Sequence, residues 1–264
     1  MGMLMKNMSI GSKFTVAICA SAVVIMLAGL FIIYQQEEDK MDLMLTNRAK
    51  VLSQQILISR AYISQNYVGK IKKSKAGADV QVLKEHANTP DAIPIPATAV
   101  REMGEEAAKG GLYNARLVSQ NPINSSNQPK DAFENEAMRA IMSGAESYAR
   151  RDDVNGVQTF RRAVADKAVS GACIGCHTNS QVGDVLGMLS VSLPMSEATA
   201  LSNKSVMQNG GLMFGIVAII VMVTYFMLRS IVLRPLAQMT GISMDIAKGE
   251  GDLTKRVPVN GSDE

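Results

Sequence analysis

Cys173, Cys176 and His177 stand in the order Cys-x-x-Cys-His within the stretch S-G-A-C-I-G-C-H-T-N-S. The chain has 3 cysteines and 2 histidines in all, so five consecutive residues hold most of its soft ligands. Chance placement is a poor account of such a concentration. Three chemistries compete for it. A redox dithiol is usually set at the strand-to-helix turn of a βαβ unit, and no such unit is read around this motif. A zinc ion takes about four ligands, which leaves the two thiols and a distant His86 short, because His177 is too close to Cys176 to share one tetrahedral ion comfortably. Covalent haem c uses every element of the spacing: two thiols add across two vinyl groups on one porphyrin edge, and the next residue brings an imidazole beneath the iron. The expectation is one covalent haem c per chain, attached at Cys173 and Cys176, with His177 as the proximal iron ligand. Gly171 and Gly175 fit this expectation, since small residues let backbone approach a macrocycle.

Thioether attachment takes place outside the cytoplasm, so the motif needs elements that put it there. Apolar residues make up 47% of the chain, methionine numbers 18 and tryptophan is absent, a balance closer to a membrane protein with a modest soluble part than to one soluble globule. Two uncharged runs, Phe14–Tyr34 and Gly210–Leu228, match the roughly 20 residues that span a bilayer. The first is longer than the apolar core of a cleaved signal peptide, and no Ala-x-Ala site precedes the acidic Q-Q-E-E-D that follows it, so it reads as an anchor. Lys6 and Lys13 precede the first run, and Arg229 and Arg234 follow the second, which directs both termini to the cytoplasm. The expected organisation is a cytoplasmic N-terminus (1–13), a transmembrane helix (14–34), a periplasmic domain (35–209), a second transmembrane helix (210–230) and a cytoplasmic module (231–264). That is a two-pass protein of a bacterial inner membrane. A net charge of +3 gives no support to a nucleic-acid partner.

Within the external segment, apolar residues from Met41 to Ile71 recur near helical spacing and predict one long helix from Gln35 to about Lys75. K-I-K-K-S-K-A-G-A-D then reads as a basic linker, and Pro90, Pro94 and Pro96 exclude regular helix between them. A short helix is predicted over Ala97–Lys109, closed by Gly110-Gly111, with a strand in G-L-Y-N-A-R-L-V-S-Q. A helix opening at Pro129 or Asp131 is predicted to run through about Tyr148. V-Q-T-F-R-R-A-V-A-D and V-L-G-M-L-S-V-S-L-P-M are two further strands, with the cysteine motif in the loop between them. The fold class is α+β, a sheet of three or more strands with helices packed to one side.

After the second apolar run, Pro235 and the stripe Met239, Ile242 and Ile246 suit a parallel helical bundle. With the connector G-E-G-D-L-T-K-R-V this resembles the first part of a HAMP linker, and the final Asp-Glu resembles the start of its second helix, so the module reads as truncated. The external segment is similar to the haem-c-containing, PAS-like periplasmic sensor domains of methyl-accepting chemotaxis proteins and related receptors. The likeness rests on the long helix, I-P-I-P-A-T-A-V-R-E, N-P-I-N-S-S-N-Q-P-K-D-A-F-E, C-I-G-C-H and the V-L-G-M-L-S-V-S-L-P strand. The resemblance implies a homodimer, long N-terminal helices that help enclose the haem, and a cytoplasmic signalling domain beyond this chain.

The ligand opposite His177 decides whether such a haem carries electrons or binds small molecules. Beyond Met41 and Met44 the long helix offers no Met, His or Cys before His86, so a water or an open position is expected, with His86 as a weak candidate. Met103, Met138, Met142 and Met188 read as packing residues. Arg116, Arg161 and Arg162 could meet the haem propionates, with surface solvation the default. The functional expectation is a receptor sensing redox state or a diatomic gas (NO, CO or O2), the sensor half of a methyl-accepting chemotaxis protein, and not an enzyme. The alternatives are a membrane-anchored monohaem electron carrier, or the sensor half of a histidine kinase or diguanylate cyclase.

Overall fold

The structure, a computed structural model, describes residues 8–122, 124–169, 171–175 and 177–247. Cys176 and the G-E-G-D-L-T-K-R-V connector lie outside the described residues. The chain divides into two compact units, Glu38–Ser202 and the pairing of Met1–Glu37 with Asn203–Glu264.

Helix α1 (Ile10–Tyr62) is continued by a π-helical turn (Ile63–Val68) and a single turn, α2 (Gly69–Ile71), so the expected long helix is present with a change of winding near its end. In the Glu38–Ser202 unit α1 buries Met41, Leu45, Ala49, Ser53 and Ile56. That stripe repeats every three or four residues and packs one helix face against a sheet. Two short parallel strands follow, β1 (Gln81–Leu83) and β2 (Ala92–Pro94). Helix α3 (Pro96–Lys109) opens with Pro96, whose missing N–H costs nothing at the first helical position.

The main sheet contains β3 (Asn114–Val118), β4 (Ser147–Val154), β5 (Val157–Lys167) and β6 (Val185–Pro194) in the order β3-β6-β5-β4, every neighbouring pair antiparallel. Helix α4 (Ala132–Met142) is capped by Asp131, whose Oδ1 accepts the Glu134 backbone N–H at 2.9 Å. It ends well before the predicted Tyr148. Gly144 takes φ 102° just past the helix, and Tyr148 lies in β4. The Asn155-Gly156 turn, with φ 55° and 81°, closes β4 onto β5. An Asn-Gly pair with both residues at positive φ is the tight-hairpin signature that marks the strand before it.

The mixed helix-and-sheet class expected from the sequence is found, but helices cover both sheet faces instead of one. Side chains alternate across a strand, so Leu189, Val191 and Leu193 join α1, Val100, Ala115, Leu117 and Phe160 in one core. Met188, Val118 and Ala163 point the other way and meet Phe133, Ala137, Met138 and Ile141 of α4. Between β5 and β6 a single turn, α5 (Gly171–Ile174), carries the first part of the cysteine motif.

In the other unit, α1 and α6 (Ser196–Met227) contain stretches long and apolar enough to cross a membrane. They approach closely at glycines: a Cβ on Gly29 would run into Met213 Sδ, and one on Gly210 would lie 3.2 Å from Leu30 Cδ2. A second π-helical turn (Leu228–Leu233) leads into α7 (Arg234–Ala247).

Candidate functional site

The α1/α3 face of the sheet does not stay packed along its whole length. Near the Asp166 end of β5 it opens into a cavity of about 900 Å³. Gly171, Cys173, Gly175 and His177 all line this cavity, so the described part of the motif is gathered on one wall. The local chain is held by two backbone bonds, Gly175 N–H to the Gly171 carbonyl at 3.2 Å and His177 N–H to the Cys173 carbonyl at 3.1 Å. Cys173 is buried and His177 half-buried.

The π-helical turn after α1 adds Ser64, Gln65 and Val68 to the wall. Such turns widen a helix locally and recur at functional sites. The start of α3 contributes Ile95–Thr98, and the ends of β3 and β6 contribute Leu117 and Gly187. Gly187 pairs with Asp166 across the ladder, and a Cβ there would collide with the Val118 carbonyl oxygen. A side chain at this position would therefore force β3 and β6 apart beside the cavity.

Two charged side chains face the motif. Arg60 of α1, partly buried, and Asp166 of β5, buried, form an ion pair, and both line the cavity. Burial pushes the Asp166 carboxyl up, against the pull of Arg60 and His177. Burial likewise pulls the His177 imidazole down, helped by Arg60 and opposed by Asp166. A neutral imidazole is the form that binds a metal.

The other candidates fall elsewhere. His86 is not on the cavity wall; its Nε2 lies 3.1 Å from Glu102 Oε2. Met138 and Met188 are packed in the α4-side core, while Met103 and Met142 are exposed, and none of the four lines the cavity. Arg116 is bound to Glu134 at 2.6 Å, and Arg162 donates to Ser147 Oγ at 2.9 Å. Solvation does not describe Arg161, which is buried, 2.7 Å from Asp131 Oδ2 and 4.3 Å above the Phe133 ring. The reason is charge compensation: carboxylates from α4 and β4 make a buried guanidinium affordable where water is excluded. The cations that do line the cavity are Arg60, Lys72, Lys73, Lys84 and Arg101. Sequence reasoning missed them because Lys72 and Lys73 look like linker, and because 106 positions separate Arg60 from Asp166.

The sequence profile of the Tll0287-like family matches residues 36–194. The chain belongs to the Tll0287-like family. A HAMP domain matches residues 227–264, so the expected order, a domain of the haem-sensor type followed by HAMP, is the order found. No curated protein matches this Tll0287-like chain. Among solved structures, the "Crystal structure of the cyanobacterial heme-protein Tll0287" matches at 17% identity and a TM-score of 0.35, covering 56% of this chain and 95% of that one.

Proposed function

We propose that this Tll0287-like chain is the sensor half of a membrane receptor whose external domain carries one covalently bound haem c. Cys173 and Cys176 would hold the porphyrin edge and His177 the iron. The observation that carries the reading is the meeting of Cys173, His177 and two motif glycines on one cavity wall. The residues fit the group. The cavity lies in the range of about 300–1,000 Å³ usual for ligand sites, and most of its wall is apolar. Gly171 and Gly175 leave the backbone bare where a macrocycle would lie against it, and burial favours the ligating form of His177. The exposed lysines at positions 72, 73 and 84 suit carboxylates on the group's outer edge.

Haem would supply a redox-active iron able to take a diatomic ligand. Leu117, Val68 and Ile95 give the cavity an apolar wall, and the described lining residues offer no His or Met other than His177. That supports an open or water-held sixth position and hence detection of redox state or of NO, CO or O2. The two apolar helices and the flanking cations support a two-pass inner-membrane protein with this domain in the periplasm and both termini in the cytoplasm. HAMP supports a non-enzymatic relay, in a homodimer, to a downstream signalling domain, with chemotaxis as the proposed output. A simple electron carrier has no use for such a module.

Haemochrome spectra of the purified chain, together with its intact mass, test the proposal. A thioether-type spectrum and a mass increase of one haem are expected, and ferrous spectra should change on addition of NO or CO. A protein exported with its motif intact and no covalent haem sinks the reading.

A further inference from the structure

Arg60 and Asp166 occupy an unusual place for a buried ion pair. Their side chains are 14% and 8% exposed, yet they do not sit in a packed core. They line the large cavity, and with Ser64 and Cys173 they also line a second cavity of about 180 Å³. A buried pair is costly to desolvate and is often no more stabilising than apolar side chains of the same size. Fold stability therefore gives little reason to keep two charges between two cavities.

Three further observations point to the motif. Asp166 stands at an irregularity of the β5–β6 ladder, between Asp166 and Lys167, and such bulges re-aim side chains. Across that ladder is Gly187, which lines the same cavity. His177 lines the same cavity as both charges. A metal-bound imidazole generally donates its second ring N–H to a carboxylate or carbonyl, which sets ring orientation and ligand strength.

We propose that Asp166 is the positioning carboxylate for His177, and that Arg60 ties this carboxylate to α1. The inference rests on the haem reading above. It adds a named path from the iron ligand to the long helix: His177, Asp166, Arg60. Through it, a change of charge or ligand strength at His177 alters the pull on the last turns of α1. The Arg60 Nε is buried with no hydrogen-bond partner among the described residues.

The test uses the full chain in detergent, with Asp166→Asn, Asp166→Glu, Arg60→Lys and Arg60→Gln. Asp166→Asn keeps the shape and removes the negative charge that favours the oxidised iron. It should shift the reduction equilibrium about tenfold toward the reduced form, or about 59 mV for one electron, and lower the iron–histidine stretching frequency. Asp166→Glu should restore both in part. Hydrogen exchange over residues 53–62 should speed up in Asp166→Asn and Arg60→Gln and stay slow in Arg60→Lys. An Asp166→Asn chain with covalent haem and an unshifted potential overturns the positioning role while leaving the haem reading intact. If the parent chain carries no haem, that reading falls, and unchanged exchange in Arg60→Gln then removes the tie to α1 as well.

Discussion

The two faces of the four-stranded sheet solve the same burial problem in different ways. On the α4 face the core is complete: Phe133, Met138, Ile141 and Met188 are fully buried, and the charges that enter are paired. Glu134 receives the Lys130 backbone N–H at 2.9 Å and the Arg116 guanidinium at 2.6 Å, with Arg161 3.8 Å away. On the α1/α3 face the apolar packing of Leu45, Ala49 and Leu189 gives way to the cavity, where Cys173, His177, Arg60 and Asp166 meet. A face that excludes everything is built for stability. One that stops short of filling itself leaves an open end, and that end gathers Cys173, His177, Arg60 and Asp166.

The contrast can be broken most severely by removing both thiols. Cys173→Ala with Cys176→Ala should abolish covalent haem attachment, read as loss of one haem from the intact mass. If the face is built around that group, the same chain should also lose stability relative to the loaded protein. An equally stable chain would mean that the cavity is indifferent to its contents.

Next in size come changes to the α4 face. Glu134→Ala strands the Arg116 and Arg161 guanidiniums away from their shared carboxylate and should cost about 3–5 kcal/mol in urea unfolding. Phe133→Ala should cost a similar amount, about 3–5 kcal/mol, by opening a cavity beneath Arg161. In both variants the surviving folded protein should keep its haem spectrum, because neither residue lines the cavity. Altered spectra would show that the faces are coupled more tightly than their separate cores suggest.

Gly187→Ala sharpens the boundary between the two faces. Its Cβ would meet the Val118 carbonyl, and overpacking of this type costs about 1–3 kcal/mol. The haem environment should change along with stability, a combination expected of neither α4-face variant.

A smaller effect is expected in acid. Burial alone would raise the Asp131 carboxyl, but the Glu134 backbone N–H and Arg161 outweigh it and hold the group below its usual value. A carboxylate held low in the folded state contributes stability above its unfolded pKa, and that contribution disappears as pH falls through the lower, folded value. Acid unfolding curves of the parent and Asp131→Asn should therefore converge below the usual carboxylate range. Smallest of all is Arg151→Ala. Its pairs with Glu38 and Asp42 lie near the surface, so the change should stay within about 0.2–1 kcal/mol.

Much of this architecture was legible residue by residue. The α1 stripe, Pro96 and Gly110 around α3, and the β-branched runs of β5 and β6 all declare local geometry through period and caps. β4 was missed although Asn155-Gly156 announced it, because its charged sequence S-Y-A-R-R-D-D-V does not alternate like an ordinary half-buried strand. Its Arg and Asp side chains pair with neighbours on both sides of the sheet, and pairing partners are invisible in one dimension. The second covered face was missed for the same reason, since α4 must first be placed before Met188 and Leu189 can be seen to point into different cores.

By itself the sequence determined the reactive motif, the two apolar runs and most helix and strand positions, because each depends on residue types a few positions apart. Tertiary structure alone decided which charges face the motif. Arg60 and Asp166 are widely separated along the chain and come together beside the motif only when α1 crosses the sheet. It also decided which candidates lie away from the cavity, since His86 turns to Glu102 and Arg161 to Asp131. Long-range electrostatic partners are set by packing, and packing is the property that local spacing does not encode.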